Sequence, residues 1–150
     1  MKRLTATEIK EMQLEILSRI AEFCDKHHLR YYLYYGTLIG AIRHNGYIPW
    51  DDDVDIIMPR PDYEAFIKTF NQSSDNCKVL DDRISKGYYL DFAKVHNPKT
   101  IIESEFSKEK SFGVFVDIFP FDGVYEGIKG KIQFYTVYLL CKFRIAKEFT

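Results

Sequence analysis

Cysteines are few in this sequence and lie far apart. Cys24, Cys77 and Cys141 are odd in number, and none belongs to a Cys-x-x-Cys pair. A disulfide framework or a cysteine-based zinc site needs paired cysteines at characteristic spacings. The pattern therefore excludes a disulfide-stabilised scaffold and indicates reduced thiols in a cytoplasmic protein.

Long apolar runs and an excess of positive charge are also missing. The longest apolar run, residues 137–141, is far shorter than the ~20 residues that cross a membrane. Residues 1–5 lack the apolar core of a signal peptide. Because 21 Lys and Arg residues are balanced by 22 Asp and Glu residues, no basic surface for nucleic acid is indicated. We expect neither a transmembrane segment nor a nucleic-acid partner.

The remaining composition is that of a folded globule. A hydrophobic fraction of 46 % and an aromatic fraction of 16 % over 150 residues predict one domain, residues 1–150. Thr5 and Glu8 have the spacing of a capping box before a helix that reaches about His28. Strand and helix patterns then follow one another, which predicts an α+β (α/β) fold. The predicted strands are residues 31–35, 53–58, 77–80, 88–96 and 112–119, and the further helices are residues 38–42, 61–71 and 127–149.

Four carboxylates lead into the second predicted strand. Side chains alternate along a strand, so Asp53 and Asp55 are expected on one face, joined by Asp51 if the strand starts early, while Asp52 points away. Two such carboxylates, ~6–7 Å apart, repel by roughly 2–3 kcal/mol at an effective dielectric constant of ~20. A hard divalent cation, Mg²⁺ or Mn²⁺, relieves this repulsion. A solvated acidic turn is the alternative, and it is the more common context of a bare Asp-x-Asp pair.

A second candidate feature is Gly36-Thr37, between a predicted strand and a predicted helix. Glycine lets the backbone approach an anion, the hydroxyl can donate a hydrogen bond, and the helix N-terminus offers free N–H groups. A tight strand-to-helix turn would use the same glycine, so this pair alone leaves both interpretations open.

The third feature is Asp117, a single carboxylate inside an apolar strand. A buried carboxylate needs a cation, a metal or a hydrogen-bond network, and a satisfied structural aspartate is the simplest alternative. The order of the three features favours function: a phosphate cradle, a strand with paired carboxylates, then a strand with a third. Two-metal nucleotidyl or phosphoryl transfer requires these parts.

Residues 35–56 resemble the signature of the LicD family of phosphocholine transferases, with the sequence YGTLIGAIRHNGYIPWDDDVDI. Two further segments fit the pattern of that family: MPRPDY at residues 58–63 and VDIFPFDG at residues 116–123. The resemblance implies a nucleotidyltransferase-like mixed β-sheet flanked by helices. It also implies transfer of phosphocholine, or a similar phospho-alcohol, from CDP-choline to a hydroxyl of a cell-surface glycan, lipopolysaccharide or teichoic-acid precursor, with release of CMP. Such a protein would be cytoplasmic, near the inner face of the membrane.

The resemblance also implies roles for individual residues. Acidic positions would hold Mg²⁺ or Mn²⁺ and carry the chemistry: Asp53, Asp55 and Asp117, with Asp51 as a further ligand. Donor phosphate would be bound by Gly36, Thr37, Lys94 and Arg43, with His44 a weaker candidate. A solvated surface position is the alternative for Lys94, because most lysines are exposed.

Other functions fit parts of the sequence. A glycosyltransferase could use the Asp-x-Asp pair, although it would not need the preceding Gly-Thr. A different nucleotidyltransferase acting on a small hydroxyl compound, or an inactive metal- or nucleotide-binding module, would preserve all three features. Family members are generally longer than 150 residues, so the domain is expected to be truncated at its C-terminus or to be a minimal member.

Overall fold

Helices and strands follow one another along the chain in the computed structural model, which describes residues 3–73, 76–102 and 112–148. The predicted α+β fold is confirmed. The elements are, in order, α1 (Ala6–His27), β1 (Tyr32–Leu33), α2 (Tyr35–His44), β2 (Asp55–Pro59), α3 (Arg60–Ser73), β3 (Lys78–Leu80), β4 (Ala93–His96), β5 (Phe115–Phe121) and α4 (Gly127–Glu148).

Helix α1 begins and ends at local signals in the sequence. The Thr5 side chain accepts a hydrogen bond from the Glu8 N–H, and the Glu8 side chain accepts one from the Thr5 N–H, which confirms the capping box. His28 ends the helix in the left-handed conformation, with φ of 56°. Between these ends, Ile16 and Ile20 are buried at helical spacing, so one face of α1 packs on the sheet.

The five strands form one mixed sheet in the order β1-β2-β5-β4-β3. Strands β2 and β5 run parallel, and the other neighbouring pairs are antiparallel. One face of the sheet joins α1 and α3 in the hydrophobic core, where Ile56, Met58, Val116 and Ile118 are fully buried. Because side chains alternate along a strand, the residues between these positions point to the opposite face.

The first strand is shorter than predicted, and the helix after it begins earlier. The Tyr34 N–H donates to the Asp55 carbonyl at 3.0 Å, and the Leu38 N–H donates to the Tyr34 carbonyl at 3.2 Å. Tyr34 is therefore the N-cap of α2. Gly36 and Thr37 lie inside the first turn of the helix, and the prediction that they precede it was wrong.

The other four strands also start later than predicted, β3 by one residue, β2 by two, β5 by three and β4 by five. Strand β2 starts at Asp55. Residues 48–51 before it form a turn, which is closed by the Asp51 N–H donating to the Ile48 carbonyl. Strand β4 starts at Ala93 and not at Tyr88, whose N–H bonds the Ser85 carbonyl in a turn.

Helix α4 follows the last strand, as predicted. Apolar side chains of its first half are well exposed, among them Ile128, Ile132, Phe134 and Tyr138. Nowhere in the described ranges does a helix combine the length and the apolar character needed to cross a bilayer.

Candidate active site

Three charged side chains form a row across the centre of the sheet. The parallel register of β2 and β5 places Asp55 beside Asp117, and the antiparallel register of β5 and β4 places Asp117 beside Lys94. Neighbouring strands lie ~4.8 Å apart, so the three residues are direct neighbours. The residues that follow each of them point into the core, which puts this row on the opposite, polar face.

Lys94 and Asp117 form a buried ion pair. The Lys94 ammonium donates to Asp117 Oδ1 at 2.5 Å, and the residues are 5 % and 7 % exposed. Burial lowers the pKa of Lys94 and raises the pKa of Asp117, while their mutual attraction opposes both shifts. The Phe115 ring lies beneath the ammonium at 3.5 Å from its centroid. The alternative of a solvated surface lysine is therefore wrong.

Asp55 is an unfavourably placed carboxylate. It is 7 % exposed, and burial together with the carboxylates of Asp53, Asp117 and Asp51 raises its pKa to about 7. Lys94 opposes the shift but does not cancel it. An acid whose pKa lies near neutrality can hold or release a proton under physiological conditions.

The loop before β2 carries three further carboxylates. Asp51, Asp52 and Asp53 each offer an oxygen atom, and these atoms lie within 4.8 Å of one another. The expectation that Asp52 points away is wrong, because residues 51–54 lie outside the strand and strict alternation does not apply to them. Burial and then Asp51 raise the pKa of Asp53. A set of carboxylate oxygens at this separation suits Mg²⁺ or Mn²⁺.

Gly36 lies directly against the acidic loop. A Cβ atom added at this position would overlap the Asp51 carboxylate, so any other residue here would require that carboxylate to move. The glycine thus has a packing role toward Asp51, in addition to the anion-binding role that the sequence suggested.

Thr37 connects α2 to the row formed by Asp55, Asp117 and Lys94, which we call the acidic row. Its hydroxyl oxygen accepts a hydrogen bond from the Asp55 N–H at 2.8 Å. A hydroxyl group that accepts one bond can still donate its own proton to a ligand. Because Gly36 and Thr37 lie in the first helical turn, their N–H groups have no intrahelical acceptor, and the positive end of the helix dipole adds to their attraction for an anion.

Gln13 holds the acidic loop from the other side, and sequence reasoning missed it. This residue of α1 is 2 % exposed; its Nε2 donates to the Asp52 carbonyl at 2.8 Å, and its Oε1 accepts from the Tyr47 hydroxyl at 3.1 Å. The signal in the sequence was a glutamine at a position where the helical period of α1 places an apolar side chain.

Arg43 is not brought to this cluster. It lies in the last turn of α2 and is exposed, seven residues or ~10 Å along the helix axis from Gly36. His44 lies at the same end of the helix. Contact of these two residues with a donor phosphate stays a prediction.

A cavity of about 260 Å³ adjoins the acidic loop. It lies between α1, α2 and residues 45–54, and its walls are mainly aliphatic. Residues that line it include Leu14, Leu17, Thr37, Tyr47, Asp51 and Asp53.

A mixed sheet that presents carboxylates from neighbouring strands beside a helix N-terminus defines a domain of the nucleotidyltransferase type. The family model described as "LicD/FKTN/FKRP, nucleotidyltransferase domain" matches residues 28–145. The chain belongs to the LicD family, which confirms the resemblance seen in the sequence. The match favours a nucleotidyltransferase domain over the larger nucleotide-sugar fold of a glycosyltransferase.

Three relatives show how far the similarity extends. The chain is 38 % identical to the lipopolysaccharide cholinephosphotransferase LicD of Haemophilus influenzae, over 83 % of this chain and 47 % of that protein. An uncharacterized protein of Rickettsia typhi is 35 % identical over 47 % of this chain and 24 % of its own length. An uncharacterized protein of Rickettsia prowazekii is 29 % identical over 43 % of this chain and 29 % of its own length. The chain thus spans about half the length of the first relative and less of the other two.

Proposed function

We propose that this domain transfers a phosphocholine group from CDP-choline to a hydroxyl group of a cell-surface glycan, lipopolysaccharide or teichoic-acid precursor. CMP is the leaving group, and the reaction takes place on the cytoplasmic side of the membrane. Membership of the LicD family and the similarity to a lipopolysaccharide cholinephosphotransferase support the proposal. Teichoic acid and the location rest on the sequence resemblance alone.

The observation that carries the proposal is the placement of the acidic row beside the first turn of α2. A diphosphate needs an anion site next to a source of positive charge, and the reacting hydroxyl needs a base. Thr37 spans both regions, because it belongs to the helix N-terminus and bonds the backbone of Asp55. An activated diphosphate held at this helix therefore lies against the carboxylates.

The carboxylates are also a suitable set of ligands for a cation. Asp51, Asp53, Asp55 and Asp117 would hold Mg²⁺ or Mn²⁺, whose contribution is to neutralise the negative charge of the diphosphate. Burial, and then repulsion from neighbouring carboxylates, raises the pKa values of Asp53 and Asp55, and a bound cation would offset both effects.

The chain's own groups then have defined roles in the transfer. The N–H groups of Gly36 and Thr37 bind and orient phosphate oxygens. The acceptor hydroxyl forms a new bond to the phosphorus of the phosphocholine group, the bond from that phosphorus to the CMP oxygen breaks, and the hydroxyl proton passes to Asp117. Lys94 keeps Asp117 in place and favours its ionised form.

Release of CMP from CDP-choline, in the presence of Mg²⁺ and lipopolysaccharide, tests the proposal. We expect Asp53→Ala and Asp55→Ala to abolish release, because each removes an oxygen ligand and a share of the negative site. Asp82→Ala, which removes a carboxylate that is 58 % exposed beside Arg83, is the control and should retain activity. Full activity of either cluster variant would sink the assignment.

A different nucleotidyltransferase, acting on a small hydroxyl compound, uses the same phosphate cradle and carboxylates. Separate titrations with ATP, CTP and CDP-choline distinguish the two, since only the proposed enzyme releases CMP from CDP-choline. An inactive binding module would bind Mg²⁺ and CDP-choline in a calorimeter without any turnover when acceptor is present.

A further inference from the structure

Four aromatic rings lie together on the polar face of the sheet, next to the acidic row. They form the aromatic cluster, which consists of Tyr34, Tyr35, Phe92 and Phe119. The centroids of successive rings are 3.9 Å apart for Tyr34 and Tyr35, 5.7 Å for Tyr35 and Phe119, and 4.5 Å for Phe92 and Phe119.

The sheet register fixes the position of this cluster relative to the charged row. Phe119 lies two residues beyond Asp117 on β5, so its ring shares a face with that carboxylate. Phe92 precedes β4, and its ring centroid lies 5.3 Å from the Lys94 ammonium and 4.5 Å from the Phe119 centroid. Two residues of a strand span ~7 Å. The cluster therefore borders the carboxylates directly.

The rings of the aromatic cluster are accessible, in contrast to the aromatic rings of the core. Tyr35 is 59 % exposed and the other three are half-buried, whereas Phe66 and Phe70 are at most 1 % exposed. Exposed rings grouped in this way keep part of their faces open to a ligand.

The backbone of Tyr35 is held in an unfavourable conformation. Its φ of 42° lies in the left-handed region, which bulky side chains rarely adopt. This strained residue is the first of α2 and contacts two other members of the cluster, Tyr34 and Phe119. Strain of this kind persists where the surrounding structure requires it, and it is concentrated at binding sites.

We infer that the aromatic cluster binds the trimethylammonium group of the donor through cation–π contacts; this inference rests on the proposed function. A quaternary ammonium has no N–H to donate, so it is recognised by ring faces and by nearby negative charge. The nearby carboxylates supply that charge: Asp55 and Asp117 of the acidic row and Asp53 of the preceding loop outnumber the ammonium of Lys94. In a phosphocholine group an ester oxygen and two methylene groups separate phosphorus from nitrogen, which lets one end lie at the row and the other at the rings.

The ring geometry favours a compact cation over a flat base. Tyr35 and Phe119 meet at 87°, and Tyr34 and Phe119 at 55°, which creates corners. Phe92 and Phe119 are closer to parallel, at 31°, but their centroids are 4.5 Å apart, which leaves no room for a base between them. A nucleobase stacks best between or upon parallel rings. The neighbouring cavity is a weaker candidate for the ammonium, because Tyr47 is the one ring among the residues that line it, whereas the aromatic cluster offers four.

Calorimetric titrations of the whole chain in Mg²⁺ test the inference with three probes. These are CDP-choline, its neutral isostere in which 3,3-dimethylbutanol replaces choline, and CMP. The wild type should bind CDP-choline about threefold to thirtyfold more tightly than the isostere, the range that cation–π energies correspond to. Phe119→Leu and Tyr35→Leu should bring that ratio close to one and leave the affinity for CMP unchanged.

Matched variants control for folding and for the loss of any exposed ring. Tyr135→Leu removes an equally exposed ring from α4, 61 % against 59 % for Tyr35, and should preserve the ratio. Tyr35→Phe retains the ring and should restore the selectivity that Tyr35→Leu loses. Circular dichroism of each variant confirms that it is folded.

The remaining outcomes separate this inference from the proposed function. A parallel loss of CMP and CDP-choline affinity in the variants would show that the rings stack on the base, and unchanged selectivity would show that the ammonium binds elsewhere. Either result overturns the inference and leaves the proposed function standing. Failure of the wild type to bind both CDP-choline and CMP overturns the two together.

Discussion

Asp55→Asn is expected to stabilise the fold when no divalent cation is present. Asp55 is 7 % exposed and lies among three other carboxylates, which together with burial raise its pKa from 3.8 to about 7. An asparagine of the same shape removes the buried charge and weakens the repulsion at Asp53 and Asp117. The native residue is therefore unfavourable for stability at neutral pH.

The size of the effect follows from the pKa shift. A rise from 3.8 to about 7 is roughly three pH units, or about 4 kcal/mol at ~1.4 kcal/mol per unit. Solvent and counter-ions reach the polar face of the sheet and reduce this value, so we expect Asp55→Asn to gain about 1–3 kcal/mol. For a domain of this length that gain raises the Tm by about 2–10 °C.

The stability gained by Asp55→Asn should grow as pH rises. Between about pH 4 and pH 7 the folded form keeps a proton on Asp55 that the unfolded chain has released, so the wild type loses stability as pH rises through this window. Asp55→Asn lacks this titration. The gap between the two proteins should be small near pH 4.5 and should reach its full size near pH 8.

Urea denaturation in a chelator, at about pH 4.5 and pH 8, measures this gap. Asp82→Asn, at a well-exposed position, should differ from the wild type by less than about 0.5 kcal/mol at either pH. Adding Mg²⁺ should stabilise the wild type more than Asp55→Asn, because ligand binding to the folded state adds stability. A variant less stable than the wild type near pH 8, or a gap that does not change with pH, would refute the reasoning.

Two further substitutions address the neighbours of Asp55. Gly36→Ala should displace the Asp51 carboxylate and weaken Mn²⁺ binding by about 10–100-fold, as measured by electron paramagnetic resonance. Gly46→Ala is the control, because its added Cβ meets no atom within 4 Å. Equal Mn²⁺ affinities for the two variants would contradict the role given to Gly36. Lys94→Met should lower the free energy of unfolding by about 3–5 kcal/mol in urea denaturation, because it leaves Asp117 buried without its cation. The double variant that adds Asp117→Leu should recover much of this loss. An unchanged denaturation midpoint for Lys94→Met would argue against the ion pair.

Local signals predicted most of the elements of this fold. The capping box of Thr5 and Glu8 marked the start of α1, and the apolar run around Asp117 marked a buried strand. The ends of the elements were less predictable where hydrogen bonds to distant residues decide them. Tyr34 caps α2 because the sheet brings the Asp55 carbonyl to its N–H, and nothing near Tyr34 in the sequence indicates that contact.

A local sequence pattern could not predict that the members of the acidic row lie side by side. Asp55, Lys94 and Asp117 were each singled out, but their alignment is a property of strand register, which packing across the whole sheet determines. Burial of Lys94 follows from that alignment, and so the surface alternative looked equally good in the sequence. Gln13 differs in that its signal, a polar residue on the buried face of α1, was local and was overlooked.

The register of β2 and β5 explains how the fold keeps two repelling carboxylates side by side. In a parallel pair Asp55 and Asp117 are neighbours at the same level of the sheet, and Ile56 and Ile118, the next pair in register, are both fully buried on the other face. Any movement that separated the carboxylates would have to pull that pair out of the core, at a cost of roughly 1.5–3 kcal/mol for each side chain. Together the two side chains oppose the separation by about 3–6 kcal/mol, which is of the same order as the repulsion, so the core keeps the carboxylates close together. We propose that this arrangement keeps the ligands of a divalent cation in place before the cation binds.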